Sequence, residues 1–361
     1  MQAWIIEQHG SLERLSDVLR LGTRPDPGVE TGTARIRVEA VGLNHMDLWA
    51  VRGVRGVPFP VPMIPGCDIA GTIDWMGPLS DEAQQRCDAL GLKEGADVVV
   101  YPVIHCGQCE ACENGFPPLC PAFGLIGETT DGGCADWITV PVRNLVPRPA
   151  GVRAVDAASL PIAYITAWSM IHRKAQLREG QTILIHAGGS GVSVAAIQLA
   201  KLIGATVFTT VGSDEKAQLA RQLGADEVIQ YKQAPFRQAL KPMLKSRGKR
   251  GVDVVIDHVG SDTFAQSIQS LAWGGKLVTC GATTGAEVTI DLKPVFYKNI
   301  SILGSTMGSR DDLDQVLALV ASGKLQPVID STYPMDALPQ AIERLAARKA
   351  FGKIVMEVSN D

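Results

Sequence analysis

The sequence has no apolar run that approaches the roughly 20 residues a helix needs to cross a bilayer. It also lacks a long basic segment: the densest stretch, KSRGKR (245–250), is short, and the formal net charge is −4. The first ten residues, MQAWIIEQHG, do not show the basic and then apolar pattern of a signal peptide. We therefore expect a soluble, cytoplasmic protein that binds neither nucleic acid nor membrane.

Length and cysteine content set further limits. A chain of 361 residues is too long for one core of ordinary size, so we expect two domains. In a reducing compartment the eight cysteines are not expected to form disulfides. Four of them fall between residues 106 and 120, and tight clusters of this kind favour a metal site.

The sequence pattern changes near Val155. Before it, alternating segments such as ARIRVEAVGL (34–43) stand among many Pro and Gly residues, which predicts a strand-rich domain. After it, β-branched runs alternate with helical stretches, which predicts an α/β domain with a parallel sheet covered on both faces. The segments that carry this alternation are TILIHA, VSVAAIQLAKLIGA, TVFTTV, DEKAQLARQLGA, VDVVIDHVG, GGKLVTCGA and ISILGS.

A glycine-rich turn, AGGSGVS, lies between a predicted strand (182–186) and a predicted helix. In that context, glycines let backbone N–H groups approach a pyrophosphate at the helix N-terminus. The residues of this predicted dinucleotide site are Gly188, Gly189, Ser190, Gly191 and Val192. The last position of the turn, usually a glycine that lets helix and strand pack closely, is Ser193, and we expect a small adjustment of the helix.

The end of the second strand of this domain favours NADP(H). An NAD site usually has a carboxylate there, whereas this strand ends in Gly212 and Ser213. Ser213 can donate to a 2′-phosphate, and Lys216 follows one turn later. Asp214 is the alternative, because it would serve NAD if it turned inwards. Capping preferences favour Asp214 instead as the N-cap of a helix that begins at Glu215.

The cysteine cluster has the spacing Cys106-x2-Cys109-x2-Cys112-x7-Cys120. Four thiolates close a tetrahedral shell and leave no position for water, so this set suits a structural metal and not a catalytic one. Disulfides or four idle thiols are the alternatives, and His105 beside the cluster would be surplus to a four-sulfur site.

The whole chain resembles the medium-chain dehydrogenase/reductase superfamily, which includes zinc alcohol dehydrogenases and quinone reductases. The resemblance rests on VGLNHMDLW, PGCDIAG, the cysteine cluster, DGGCADWITVP, LPIAYITAW, the glycine-rich turn, GSDEK and LGSTMG. It implies a GroES-like catalytic domain (1–155 and 306–361) with a structural zinc lobe at about 105–121. It also implies a doubly wound Rossmann domain (156–305), and a homodimer or homotetramer commonly built through the strand matching 300–304.

The resemblance also implies where a catalytic zinc would bind. In zinc alcohol dehydrogenases a Cys, a His and usually a second Cys hold this metal. The matching positions here are Asn44, Cys67 and Ile162, so one ligand type of three remains. Cys67 and Asp68, helped by His45, form the alternative of an unusual metal site. Our prediction is one structural zinc and no catalytic metal.

Without a Lewis acid, reduction of an activated double bond is easier to arrange than oxidation of an alcohol. The resemblance assigns Asn44 to orienting substrate or the nicotinamide ribose, and Thr166 to packing near the nicotinamide. Tyr164 is a candidate proton donor whose alternative is core packing, and His45 is a candidate whose alternative is a phosphate or surface contact. Tyr231 matches a position near the adenosine 2′-phosphate of quinone reductases.

Two further cofactor positions, His258 and Gly281, follow strands whose carboxyl ends face the ligand in an open α/β sheet. The expected function is NADPH-dependent reduction of a small-molecule enone, quinone or enoyl thioester. The alternatives are a zinc-dependent alcohol dehydrogenase and a non-catalytic NADPH-binding protein. For a coenzyme A substrate, Arg52 and Arg55 are the candidate basic contacts, with plain solvent exposure as the alternative.

Overall fold

The computed structural model describes residues 1–54, 56 and 59–358. Its strands are β1 (Gln2–Ile6), β2 (Leu19–Thr23), β3 (Thr33–Gly42), β4 (Asp68–Met76), β5 (Asp97–Val100), β6 (Val103–Ile104), β7 (Gly124–Leu125), β8 (Trp137–Pro141), β9 (Leu145–Pro147), β10 (Thr182–Ile185), β11 (Thr206–Val211), β12 (Glu227–Gln230), β13 (Val252–Ile256), β14 (Leu271–Thr279), β15 (Ser301–Gly304), β16 (Ile329–Pro334) and β17 (Lys353–Glu357).

The helices alternate with strands in the second half of the chain. They are α1 (His45–Arg52), α2 (Asp81–Leu90), α3 (Glu110–Glu113), α4 (Ala154–Ala158), α5 (Pro161–Trp168), α6 (Gly191–Ile203), α7 (Asp214–Gln222), α8 (Phe236–Ser246), α9 (Phe264–Ser270), α10 (Leu292–Tyr297), α11 (Arg310–Ala321) and α12 (Leu338–Ala346). None of the helices in the described part of the chain has the length and apolarity that a bilayer crossing requires.

The chain divides into two compact units. The first comprises Met1–Ala163 together with the chain from Gly308 onward, and the second is Tyr164–Met307. The divisions therefore fall within α5 and just before α11, whereas the sequence analysis placed them at 155/156 and 305/306. An apolar helix such as α5 carries no local signal for a division inside it, because its residues are uniformly suited to burial.

The first unit is built on a seven-stranded sheet. Its strand order is β16-β17-β3-β4-β5-β9, with β8 also paired to β3, and every pairing except β16–β17 is antiparallel. The predicted strand at 34–43 is β3, whose side chains alternate between buried and less buried positions over its first half. The final strand, β17, returns from the end of the chain to pair with β3.

The second unit is an all-parallel sheet of six strands in the order β12-β11-β10-β13-β14-β15. The chain therefore reverses its direction of growth between β10 and β13, and an open sheet of this kind binds its ligand at such a point. Apolar side chains from strands and helices form its core: Leu184, Phe208, Ile229, Phe236, Leu240, Leu244, Val252, Val255, Ile268, Leu271, Leu277 and Ile300.

Candidate functional site

The glycine-rich turn connects β10 to α6 at the centre of the parallel sheet. Ser190 is the N-cap of α6, and its hydroxyl accepts from the backbone N–H of Ser193. Gly191 and Val192 begin the helix, so their N–H groups have no acceptor within it. A side chain at Gly188 would meet Thr209 Oγ1 at 2.4 Å, which explains the glycine there. The turn thus has the form of a phosphate-binding helix start.

Ser193, the departure noted in the sequence, is accommodated by hydrogen bonds. Its buried hydroxyl donates to His186 O (2.7 Å), so His258 Nε2, 2.9 Å away, must donate to it. The same nitrogen lies 3.2 Å from Ser190 Oγ. Burial lowers the pKa of His258 to about 4, which keeps the ring neutral. His258 therefore stabilises the turn through its hydrogen bond to Ser193. Gly281 lies beside His258, because a Cβ placed on this glycine would lie 3.8 Å from His258 O.

Residues at the ends of β11 and β12 meet at Gly212. A Cβ there would lie 2.7 Å from Tyr231 Oη and 3.6 Å from Lys232 Cε, so both side chains reach this glycine. Ser213 is the N-cap of α7 and accepts from the N–H of Lys216 (3.3 Å). Lys232 was missed in the sequence analysis, although a basic residue directly after Tyr231 was a usable signal.

The interpretation of Asp214 as an N-cap is wrong. Helix α7 begins at Asp214, and Ser213 caps it. Serine and aspartate cap almost equally well, so capping preference does not distinguish these two neighbouring positions. The Asp214 carboxylate accepts from Gln230 Nε2 at 2.6 Å, which ties it to the end of β12.

The four cysteines of the predicted metal lobe are close together. Their sulfur atoms all lie within 4.8 Å of one another, with Cys109–Cys112 and Cys106–Cys120 both at 3.5 Å and Cys106–Cys112 at 3.9 Å. A tetrahedral zinc with Zn–S bonds of about 2.3 Å places its sulfurs about 3.8 Å apart, so the set fits this ion. His105 is not needed, and its Nδ1 lies 3.5 Å from Cys112 Sγ.

Two predicted catalytic residues of the first unit and one residue that was not predicted lie at one end of three neighbouring strands. Asn44 follows β3, Asp68 begins β4, and Lys353 begins β17. Lys353 Nζ donates to Leu43 O (2.7 Å), Asn44 Oδ1 (2.6 Å) and Asp68 Oδ2 (2.9 Å). Asn44 Nδ2 also donates to Asp68 Oδ2 at 2.9 Å. Lys353 was not found from the sequence, because sheet pairing brings it to residues about 300 positions earlier.

The carboxylates and thiols around this cluster are buried. Asp68 is fully buried, and its Oδ1 accepts from the backbone N–H of Ile162 (2.8 Å). Cys67 is also fully buried, and burial together with Asp68 and Asp47 raises the pKa of its thiol well above the usual range. Asp47 accepts from the N–H groups of Asn44 (2.7 Å) and Gly66 (3.1 Å), and burial raises its pKa to about 6. It fixes the local backbone.

The remaining candidates are distributed over both units. His45 is half-buried at the start of α1 in the first unit. In the second unit Tyr164 is fully buried, and Thr166 Oγ1 lies 3.9 Å from Met307 Sδ. Arg52 is exposed at the end of α1, and Arg55 lies outside the described residues. The burial of Tyr164 favours the core role over that of a proton donor.

Comparison with known proteins shows the family to which this chain is related. The family model for the alcohol dehydrogenase GroES-like domain matches residues 30–150, and that for zinc-binding dehydrogenases matches 191–322. A zinc-type alcohol dehydrogenase-like protein of Schizosaccharomyces pombe is 30% identical over 91% of each chain. The chain belongs to the medium-chain dehydrogenase/reductase superfamily, which includes the zinc-type alcohol dehydrogenases.

Members of this superfamily are NAD(P)-dependent oxidoreductases. Three predictions from the sequence are thereby confirmed: the superfamily, the α/β fold with GroES-like and Rossmann domains, and the class of enzyme. An acryloyl-coenzyme A reductase of Metallosphaera sedula is 29% identical over 92% of this chain and 94% of the relative. The solved structure of an NAD-dependent alcohol dehydrogenase is 36% identical, with a TM-score of 0.90 over 99% of this chain and all of that one. The superfamily relatives thus include both alcohol dehydrogenases and reductases of activated double bonds.

Proposed function

We propose that this protein is an NADPH-dependent reductase of an activated C=C bond or a quinone, and that it works without a catalytic metal. The observation that carries the proposal is the side-chain set at Asn44, Cys67 and Ile162. A catalytic zinc needs about three protein ligands and an open position. These positions offer an amide, a buried neutral thiol and an aliphatic side chain.

The cluster around Asn44 also supports the proposal. Lys353 donates to Asn44 Oδ1 and Asp68 Oδ2, so a cation already lies on two of the oxygen atoms that a metal in this pocket would use. Within the described residues, the His, Cys, Asp and Glu side chains that gather three or more possible ligand atoms within 4.8 Å of one another are the four cysteines of the lobe. We therefore propose a structural zinc at the lobe as the single zinc of each chain.

The bound nicotinamide would supply hydride to the β-carbon of the substrate, while a proton is added at the α-carbon, so that NADPH is oxidised and the C=C bond is reduced. Without a metal, hydrogen-bond donors must stabilise the negative charge that develops on the conjugated oxygen. Asn44 has a different proposed role, because its Oδ1 keeps one acceptor site after the bond to Lys353 and can only accept from an O–H or N–H. This site is proposed to orient a ribose hydroxyl or a donor group of the substrate. Thr166 is proposed to pack near the nicotinamide.

The preference for NADPH rests on the surroundings of Gly212. Tyr231 and Lys232 reach this glycine, and Ser213 accepts at its oxygen and keeps its O–H as a donor. Asp214, the nearest carboxylate in sequence, is held by Gln230. A hydroxyl, a phenol and an ammonium suit a 2′-phosphate, which a nearby carboxylate would repel.

An alcohol dehydrogenase is the second candidate, favoured by the 36% identity to the solved alcohol dehydrogenase. The test is zinc content by elemental analysis after mild chelation, followed by activity assays on the same sample. We expect about one zinc per chain, and NADPH oxidation with an acryloyl or crotonyl thioester, an enone or a quinone. About two zinc ions with oxidation of simple alcohols would establish the second candidate. NADPH binding without turnover of any of these compounds would indicate a non-catalytic role.

A further inference from the structure

A buried set of polar side chains lies beneath the glycine-rich turn of the parallel sheet. Asp257, at the end of β13, accepts from Ser267 Oγ of α9 at 2.7 Å. Ser267 Oγ lies 2.9 Å from His186 Nε2, and His186 Nδ1 lies 3.0 Å from Thr210 Oγ1. Thr210 Oγ1 in turn accepts from the backbone N–H of Ala187 at 3.1 Å. All four side chains are at most 3% exposed.

The chemistry of the groups fixes the direction of each hydrogen bond. The single hydrogen of Ser267 goes to Asp257, because a carboxylate only accepts, so His186 Nε2–H must donate to Ser267. A neutral imidazole with its hydrogen on Nε2 accepts at Nδ1, and the Thr210 hydroxyl donates there. Burial lowers the pKa of His186, although Asp257 acts in the opposite direction. The lowered pKa favours the neutral ring.

The turn at the other end of this hydrogen-bond chain has an unfavourable backbone conformation. Ala187 has φ of +51°, in the left-handed region that a residue with a Cβ seldom adopts. Its N–H is held by Thr210 Oγ1, and the N–H of Gly188 is held by Thr210 O at 2.8 Å. The conformation that begins the phosphate turn thus depends on Thr210, whose hydroxyl is oriented by His186.

The carboxylate also holds the neighbouring loop. Asp257 Oδ1 accepts from the backbone N–H groups of Val259 (3.0 Å) and Gly260 (3.2 Å) and from Thr263 Oγ1 (2.9 Å). One buried carboxylate is therefore bonded directly to the loop after β13 and, through three side chains, to the backbone of Ala187 in the turn after β10. These two loops border the crevice in which open α/β sheets bind a ligand.

We propose that the chain Asp257–Ser267–His186–Thr210–Ala187 is a positioning device that holds the glycine-rich turn in its pyrophosphate-binding conformation. The inference rests on the proposed dinucleotide binding, and the four side chains of this hydrogen-bond chain are buried. When one of these hydrogen bonds is removed, Ala187 can relax out of the left-handed region. The free energy needed to restore that conformation then lowers the affinity for the cofactor. The expected effect is on dinucleotide affinity, in equal measure for NADPH and NADH, since both carry the pyrophosphate.

The test is the dissociation constant of NADPH and of NADH, measured by nucleotide fluorescence on the full-length protein. Thr210→Val removes the hydroxyl and keeps the shape, and it should weaken both nucleotides about tenfold, the effect of a net hydrogen bond or two. Ser267→Ala breaks the chain farther from the turn and should act in the same direction. Thr182→Val is the matched control, because this equally buried threonine also donates to one side chain and accepts from one backbone N–H, at the opposite end of β10. It should leave both constants unchanged.

A second readout does not need the cofactor. The ¹⁵N shifts of the His186 ring should show a neutral imidazole protonated at Nε2, and Ser267→Ala should change them. Unchanged affinities in both folded variants, or a ring protonated at Nδ1, would overturn the inference. Wild-type protein that binds NADH but not NADPH would contradict only the proposed cofactor preference. Wild-type protein that binds neither nucleotide would contradict the proposed function and this inference together.

Discussion

At the scale of single residues, the ion pair between Lys353 and Asp68 balances the buried charges of the candidate site. Both side chains are almost completely buried, and the ammonium group uses its three hydrogens on Leu43 O, Asn44 Oδ1 and Asp68 Oδ2. A buried carboxylate without a compensating charge is costly, so neither partner is replaceable alone.

We therefore expect Lys353→Met to lower the free energy of unfolding by about 3–5 kcal/mol, the usual effect of removing one partner from a buried ion pair. Denaturant unfolding measures the change. Lys353→Met combined with Asp68→Asn removes both charges and should recover most of the loss. A single variant as stable as the wild type would show that Asp68 does not depend on this ammonium.

His258 gives a pH dependence that belongs to the second unit. Burial lowers its pKa to about 4, against about 6.5 for an unfolded chain, with Asp257 opposing and His186 adding to the shift. The unfolded state binds the proton first, so stability from the neutral ring is complete above pH 6.5 and is lost as the pH falls towards 4. The loss amounts to about 3 kcal/mol at its largest.

His258→Gln should remove this part of the pH dependence, because glutamine keeps an N–H donor for Ser193 and does not titrate. The measurement is the free energy of unfolding of both proteins at pH 7 and at pH 4.5. The gap between the two pH values should be smaller in the variant. An equal gap would place the titrating group elsewhere.

At this scale the sequence identified residues by motif and missed those that only the fold brings together. Asn44, Cys67 and Asp68 were found because each stands in a short recognisable segment. Lys353 has no such segment, and its partners are 285 and 309 positions away. Thr210 and Ser267, which support the phosphate turn, are ordinary strand and helix residues until β11 and α9 are placed beside His186.

At the scale of elements, prediction was more successful. The five β-branched runs TILIHA, TVFTTV, VDVVIDHVG, GGKLVTCGA and ISILGS each contain all or most of a strand of the parallel sheet, because the burial of both sheet faces leaves a continuous apolar signature. Helix starts were predicted less accurately, as Asp214 and Ser213 show, because adjacent residues can have similar N-cap preferences.

The capping position of Ser213 offers a test of cofactor preference at the β11–α7 junction. Ser213→Asp keeps a good N-cap and places a carboxylate beside the proposed 2′-phosphate site. We expect the dissociation constant of NADPH to rise at least about tenfold, as for one unfavourable charge pair near the surface, while that of NADH changes little. Ser213→Asn, which caps without charge, is the control and should leave the preference unaltered. Equal weakening of both nucleotides in the aspartate variant would contradict the assignment.

At the scale of the whole molecule, the sequence analysis inferred a split catalytic domain from resemblance alone. The structure gives this a physical basis in β17, which pairs with β3, and in Leu43, whose N–H donates to Ile354 O at 2.9 Å. No local pattern in FGKIVMEV specifies that partner, because any strand with an apolar face would suit it.

Assembly is a property of the whole molecule, and we propose a homodimer or homotetramer formed through β15. This strand is one of the two edges of the six-stranded sheet, and edge strands offer unpaired backbone groups to another chain. Large apolar side chains are exposed on and near it: Trp273, Leu292, Phe296, Tyr297 and Ile302. Such exposure on one compact unit is typical of an interaction surface.

Ile302→Lys together with Phe296→Glu should therefore convert the assembly to monomers, because the substitutions place charges on the edge strand and on α10. The measurement is molar mass by sedimentation equilibrium, alongside the far-ultraviolet circular dichroism that reports folding. Leu119→Glu is a matched control, since this leucine of the first unit is 67% exposed and Phe296 is 70% exposed. The control should keep the mass of the wild type. A folded double variant with unchanged mass would mean that β15 is not the contact between subunits.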